Sequence, residues 1–290
     1  MLPKTAREIS ECLSKHGLAP LVRFGQNFLV RHEVVERMLE DAGDLQSALV
    51  LEIGPGLGCL TVALLQRGAE VVACEVDQGL ARILRAEFQG HDRFHLVEGD
   101  CLEDGTPLRP AIMAALAERG AQARGYKVLA NLPYQITSPF LVALTRLQPQ
   151  PLSIHLMLQQ EVADVLRAAP GSENYTPLSL LAAFAFEVRV VQRVPAVSFH
   201  PRPDVDSALV SLRPLPVEPD LKELLLFGRT LLLARRQALR RTLPRTLAQL
   251  GHPASAEDRQ RALQTVQLTG QERAEVLQPA QIKALWRALR

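Results

Sequence analysis

The sequence predicts an α/β protein: a doubly wound, mainly parallel sheet followed by a small all-helical domain. Three observations carry that prediction. Short β-branched and aliphatic runs alternate with segments of helical period between residues 49 and 130. The first of these runs, Val50-Leu51-Glu52-Ile53, breaks into Gly54-Pro55-Gly56-Leu57-Gly58, with glycine at every second position, before a helix begins. A linker containing Pro214, Pro216 and Pro219 then separates the strands from a leucine- and arginine-rich stretch of helical spacing. Two domains follow, residues 1–216 for the sheet and 217–290 for the helices.

Taken in order, residues 5–17 carry Ile9, Cys12 and Leu13 at helical spacing and stop at Gly17, which predicts a short N-terminal helix. Arg23-Phe24-Gly25-Gln26-Asn27-Phe28-Leu29 is too short and mixed for a regular element and reads as a loop. Asparagine occurs only at Asn27, Asn131 and Asn174, so each position draws notice; a turn former is the plain reading of Asn27. Residues 32–42 form a helix that buries Val34, Val35, Met38 and Leu39. Strand and helix then alternate: 49–53, 59–65, 71–76, 78–88, 94–97, a helix around 111–118, and 127–130. Residues 154–168 read as strand then helix, 170–177 as a loop that is either a lid or a connector, and 184–191 and 208–212 as the last strands. Residues 221–243 read as one helical run, and 274–289 as another helix.

In such a sheet, ligands sit at the carboxyl ends of the strands, and the informative residues fall there. The glycine loop offers a Rossmann-like opening in which backbone approaches a ligand with no Cβ in the way. Its spacing is G-x-G-x-G, which alone also describes a tight turn. The next strand ends in Glu75-Val76-Asp77, about 20 residues on, where a carboxylate can accept from both ribose hydroxyls, so an adenosine ligand is expected. Asp100 follows the third strand and also reads as a helix N-cap. The fourth ends in Asn131-Leu132-Pro133-Tyr134. Pro133 biases Leu132 toward extended backbone, so the Leu132 carbonyl and the Asn131 side-chain oxygen form two acceptors suited to an exocyclic amino group, with Tyr134 beside them for stacking. That describes a pocket for an extruded adenine; an ordinary turn with a packed tyrosine is the competing reading.

Bulk properties narrow the class. The formal charge is +2, yet residues 217–290 hold 13 Lys and Arg against 7 Asp and Glu, while the remainder holds 20 against 24. A basic end on a mildly acidic body suggests a polyanionic partner. Cys12, Cys59, Cys74 and Cys101 are scattered without metal-ligand spacing, so reduced thiols and no metal are expected. No signal-peptide core or membrane-length apolar run is present, so a cytoplasmic protein is expected.

Gly25-Gln26-Asn27-Phe28-Leu29, Glu52 to Gly58, Asn131 to Tyr134, Leu158-Gln159-Gln160-Glu161-Val162-Ala163 and Phe199-His200-Pro201-Arg202-Pro203-Asp204-Val205-Asp206-Ser207-Ala208 together resemble the S-adenosylmethionine-dependent rRNA adenine N6-dimethyltransferases, most nearly their small-subunit branch. The resemblance runs from about Leu18 to the C-terminal end. It implies a class I methyltransferase domain that binds S-adenosyl-L-methionine through Gln26, Asn27, Leu29, Gly54, Gly56, Glu75, Val76, Asp100, Cys101 and Asn131. It also implies N6,N6-dimethylation of two adjacent adenosines near the 3′ end of 16S rRNA during ribosome biogenesis, by a monomer whose partner is the small subunit. Gln135 and Asp204 depart from the usual pattern.

Catalysis is then expected at Asn131, Leu132, Pro133 and Tyr134. Phe199, in a proline-stiffened loop, either covers the second face of the base or packs in the core. Arg229, Arg235, Arg236, Arg240, Arg241 and Arg245, with no acid between 229 and 245, are the expected RNA-binding stripe, with Arg236 and Arg240 on one helix face by their i,i+4 spacing. The rivals are a large-subunit rRNA or DNA adenine methyltransferase and an assembly factor with secondary catalysis. A nicotinamide dehydrogenase is disfavoured by the glycine spacing and by the lack of a positioned acid and base.

Overall fold

In the computed structural model, residues 3, 5–21, 25–103 and 107–290 are described; Arg23 and Phe24 of the expected loop lie outside them. The first helix, α1 (Ala6–Lys15), is started by a capping box between Thr5 and Glu8. Its apolar side, Ile9 and Leu13, packs with Phe28, Leu57, Leu80 and Ile83. After β1 (Phe28–Leu29) and α2 (His32–Ala42) the alternation begins: β2 (Leu49–Ile53), α3 (Cys59–Gln66), β3 (Glu70–Glu75), α4 (Gln78–Glu87), β4 (Phe94–Glu98), α5 (Pro110–Glu118), α6 (Ala121–Arg124), β5 (Lys127–Asn131), α7 (Thr137–Leu144), β6 (Ser153–Gln159) and α8 (Gln160–Leu166). α9 (Pro177–Ala185), β7 (Phe186–Val194), β8 (Phe199–His200) and β9 (Ser207–Pro214) complete the strands.

Seven strands form one sheet in the order β4-β3-β2-β5-β6-β9-β7, and β1 pairs with β8 in a separate two-stranded ribbon. β2 is buried at every position, Glu52 included, as befits a nearly continuous apolar run in a strand covered on both faces. β2 runs parallel to both β3 and β5, so the chain builds outward on one side through β3 and β4, then returns to build the other side through β5 and β6. The switch point lies between β2 and β5. Gly54 and Asn131 flank it at the carboxyl edge, and Glu75 ends the strand next to them. β9 is antiparallel to β6. Among the described residues, no helix is long and apolar enough to cross a membrane.

The chain divides into two compact units, one of residues up to 163 with 189–214, the other of 164–188 with 215–290. Relative to a boundary at 216, residues 164–188 stand in the helical unit, because Tyr175, Leu180 and Phe184 share a core with Leu224, Phe227, Leu231 and Trp286. The helices of this unit are α9, α10 (Leu221–Leu233), α11 (Leu239–Gln249), α12 (Ala256–Thr265) and α13 (Pro279–Ala288). The expected single helix over 221–243 is therefore two. The break comes where backbone leaves the helical ladder: Leu239 and Arg240 donate their N–H groups to Glu272 and Gly270 carbonyls, and Ala238 bridges Arg273. Likewise 274–289 resolves into a 3₁₀ turn at Ala274–Val276 and α13, with Pro279 at its start.

Arg235, expected in the RNA-binding stripe, sits in the turn after α10. Its Nε donates to Glu275 at 2.9 Å, and its terminal nitrogens reach the carbonyls of Ser172 (3.2 Å), Glu173 (3.1 Å) and Tyr175 (3.4 Å). The guanidinium thus pins loop 170–177 to its own unit, which makes that loop a braced connector. Arg235→Ala is expected to lower the thermal midpoint by on the order of 5 °C, and Arg236→Gln to leave it near the parent value. Scanning calorimetry of the two variants checks this, and equal midpoints would remove the pin.

Candidate active site

At the carboxyl edge a cavity of about 320 Å³ opens above the glycine loop. Gly54 and Gly56 have φ of 67° and 61°, a region that side chains rarely adopt, and a Cβ on Gly56 would stand 3.2 Å from the Phe28 ring. The loop can therefore lie flat against β1 only as glycine. Its Gly56 N–H donates to Glu75 Oε2 at 3.1 Å, while Glu75 Oε1 accepts from Asp77 N–H at 2.9 Å. Asp77 in turn caps α4 through Gly79 and Leu80 N–H.

Gln26, Asn27, Leu29, Gly54, Gly56, Glu75, Val76, Asp100, Cys101, Asn131, Leu132, Pro133 and Tyr134 all line this one cavity. Four separate strand ends and the 25–29 segment converge there. Asp100 is exposed, with one oxygen accepting from Leu102 N–H, and Val76 beside Glu75 is 36% exposed, an open apolar surface for a flat ring. Gln26 is a brace: its amide donates to Asp77 Oδ2 at 3.0 Å and accepts from Leu21 N–H at 2.8 Å.

Asn131 is oriented by a residue far away in sequence. Its Nδ2 donates to the Asn27 carbonyl at 2.9 Å, and the Asn27 side chain folds back onto the Gly25 carbonyl at 3.1 Å. Among the described residues nothing donates to Asn131 Oδ1, so the amide presents its oxygen. Tyr134, in a 3₁₀ turn, is half-buried, and its hydroxyl meets Ser207 Oγ at 2.7 Å. Burial raises its phenol above the usual value.

Phe199 does not join them. It is 3% exposed, packs in the sheet core, and pairs with Leu29 across β1 and β8. A phenylalanine facing inward on a strand has no free ring face, so the cap reading gives way to the core reading. Arg229, Arg236, Arg240, Arg241 and Arg245 lie in the helical unit, all exposed, and among the described residues none makes an ion pair or side-chain hydrogen bond. Arg236 is in the turn after α10 and Arg240 is in α11, so the two do not share a helix face.

Sequence reasoning gave Glu52 no role of its own. It is 2% exposed, lines the cavity, and accepts from Thr61 Oγ at 2.7 Å. Burial pushes its carboxyl up to about 8 and that of Glu75 up to about 7, with the charge of Glu75 adding to the rise at Glu52. A lone acid inside an apolar strand was the available signal.

The chain matches the family model described as ribosomal RNA adenine dimethylase over residues 21–286. The chain belongs to this family. A ribosomal RNA small subunit methyltransferase A from Opitutus terrae is 41% identical over 230 residues, covering 77% of this chain and 79% of that one. The protein of the same name from Geobacillus thermodenitrificans is 32% identical over 290 residues, covering 98% and 96%. A solved dimethyladenosine transferase from Plasmodium falciparum superposes with TM-score 0.70 at 22% identity, over 89% of this chain and 95% of that one, a likeness of fold. The fold is that of the class I methyltransferases, and the family acts on rRNA adenine.

Because Glu52 and Glu75 hold their protons more tightly when folded than when unfolded, the folded state binds more protons between about pH 4.5 and 8. Stability contributed by their neutral forms is complete below the unfolded value near 4.5 and is lost as pH rises through about 7 and 8. Glu52→Gln, which keeps an acceptor for Thr61, should therefore flatten the fall in stability between pH 5 and 8 by on the order of 2–4 kcal/mol. Urea unfolding across that range, without cofactor, reads it out, and a parent-like slope refutes the assignment.

Proposed function

We propose that this chain dimethylates N6 of two adjacent adenosines near the 3′ end of small-subunit rRNA, using S-adenosyl-L-methionine. The observation that carries the reading is the orientation of Asn131, whose nitrogen is taken by the Asn27 carbonyl so that its oxygen is left to accept.

The residues fit the cofactor. Glu75, held by two backbone N–H groups, keeps lone pairs on both oxygens for ribose hydroxyls. Val76 offers an apolar surface to the adenine, and the second oxygen of Asp100 accepts from its amino group. The bare backbone of Gly54 and Gly56 leaves room for the methionine part. When bound, the cofactor supplies an electrophilic methyl on a sulfonium sulfur.

The target adenine N6 is a poor nucleophile because its lone pair is delocalised into the ring. Asn131 Oδ1 and the Leu132 carbonyl accept its two hydrogens and favour the pyramidal nitrogen, a preorganised effect worth roughly 3 kcal/mol per well-placed group by analogy with oxyanion holes. Tyr134 stacks on the base. No strongly basic side chain is needed, because an alkylated N6 is acidic. Arg229, Arg236, Arg240, Arg241 and Arg245, exposed and without ion pairs among the described residues, supply contacts to rRNA phosphates.

Asn131→Ala should keep cofactor affinity within a few-fold while methyl transfer to small-subunit particles drops by about 10²-fold. Calorimetry with the cofactor and nucleoside analysis of labelled particles check both halves, and parent-like turnover places the pocket wrongly. Equal methyl incorporation into large-subunit particles would instead favour the large-subunit reading. Replacing Arg236 and Arg240 with Gln should flatten the slope of log K against log salt for particle binding by about 0.7–0.9 for each phosphate no longer neutralised, with cofactor affinity unchanged. An unchanged slope measured over a salt series removes these two residues from the RNA surface.

A further inference from the structure

The chain has three tyrosines, and the structure treats one of them differently. Tyr126 and Tyr175 are fully buried and donate to the backbone carbonyls of Pro149 and Leu277. Tyr134 is half-buried at the cavity, and its hydroxyl meets a side chain instead, that of Ser207.

Ser207 is a fixed point. It is 0% exposed and stands opposite Gln159 at the last register pair of β6 and β9. Its neighbour Asp206 is held three ways: Oδ1 accepts from Ala196 N–H at 2.9 Å, Oδ2 accepts from Arg193 Nε at 3.1 Å, and its carbonyl accepts from Gln160 N–H at 2.9 Å. Tyr134, in contrast, opens a three-residue 3₁₀ turn whose bonds, from Ile136 N–H to the Pro133 carbonyl and from Thr137 N–H to the Tyr134 carbonyl, hold the backbone and leave the ring to be fixed by other contacts. A tyrosine side chain has two soft torsions. Anchored at its Cα and again at its hydroxyl, the ring becomes a rigid plate; released at the hydroxyl, it can swing.

We propose that Ser207 is a positioning residue for methyl transfer: its hydroxyl sets the angle of the Tyr134 ring, and the ring holds the target adenine with N6 beside Asn131. The proposal rests on the reading of this cavity as an adenine N6 site. A base displaced by about 1 Å can lose about 10²-fold in rate, so a swinging ring lowers the fraction of bound adenine in an attack geometry. Particle affinity, spread over the rRNA surface, is little affected.

The test uses small-subunit particles lacking the modification and four variants. Ser207→Ala and Tyr134→Phe delete the same bond from its two ends, so each should lower kcat about tenfold. KM for the particle and cofactor affinity should stay within about twofold of the parent, and the double variant should be no worse than either single one. A second readout is independent of activity. In protein labelled with fluorotyrosine, the ¹⁹F resonance missing from Tyr134→Phe should shift and narrow in Ser207→Ala, with those of Tyr126 and Tyr175 unmoved.

Parent-like kcat in Ser207→Ala, additive losses in the double variant, or an unmoved resonance each overturn the proposal. So does a lowered thermal midpoint with kcat intact, the mark of a purely structural bond. If Ser207→Ala fails to fold, Tyr134→Phe decides alone by the same kcat and KM criteria. Tyr134→Ala separates the two levels of inference: parent-like turnover in it overturns the adenine-site reading itself, whereas a large loss in it beside parent-like Ser207→Ala overturns only the tether.

Discussion

Two carboxyl groups, Glu52 and Glu75, are buried within electrostatic reach of each other beneath the glycine loop, and among the described residues neither forms an ion pair. Burying charge without a counter-charge is costly, and neutral donors offset only part of that cost, so both carboxyls hold their protons above the usual carboxylate range. Thr61 serves Glu52; the backbone N–H groups of Gly56 and Asp77 serve Glu75. Much of the site follows from this. The Gly56 N–H faces Glu75 from a positive-φ conformation that suits glycine, with a Cβ there crowding Phe28, and Asp77 is positioned both to donate its backbone N–H and to cap α4 with its side chain. A ligand bringing two hydroxyls to Glu75 adds the donors that the protein leaves out.

The sheet was legible because its signals are local. Buried parallel strands show as apolar runs, and the alternation of periods marks the crossovers, so 49–53, 94–98 and 127–131 appear within a residue of their observed bounds. The same reasoning failed where long-range pairing overrides local period. Leu231, Leu232, Leu239 and Leu243 keep helical spacing through the break after α10, since each is buried in one core whether the helix continues or not. The segment 270–273 takes the N–H groups of Leu239 and Arg240, which open α11, so a second helix starts there instead of α10 continuing. No window of sequence around residue 236 contains that information. Phe199 failed for a related reason, because a two-residue strand pairing with Leu29 is too short to leave a period.

In the candidate site, the residues that line the cavity were readable and their supports were not. Glu75 and Asn131 end strands, and Gly54 and Asp100 follow them, as topology requires of an open α/β sheet. The groups that aim them come from elsewhere: the Asn27 carbonyl for Asn131, 104 residues away, and Ser207 for Tyr134, 73 residues away. Such pairings depend on the order in which strands lie side by side, with β9 returning antiparallel next to β6, and that order is a property of the whole sheet. A strand end can place a side chain at the edge; a second element is needed to turn it.

The arginines show why counting charge differs from locating it. In the helical unit Glu218 pairs with Lys283 and Arg287, Asp220 with Arg287 and Arg290, Asp258 with Arg261, and Glu275 with Arg235 and Arg273. Glu272 accepts from Thr269 and Gly270 in its own loop. These five acids are thus engaged by other cations and by backbone. Arg229, Arg236, Arg240, Arg241 and Arg245 are left exposed without ion pairs among the described residues, as are Arg167 and Lys222 of the same unit. Ion pairs at a surface are weak and screened by salt, so these add little to stability. The pairing of 238–240 with 270–273 separates Arg236 from Arg240 and distributes the five arginines over the turn and two helices, so that no single helix axis dictates which phosphates they can reach.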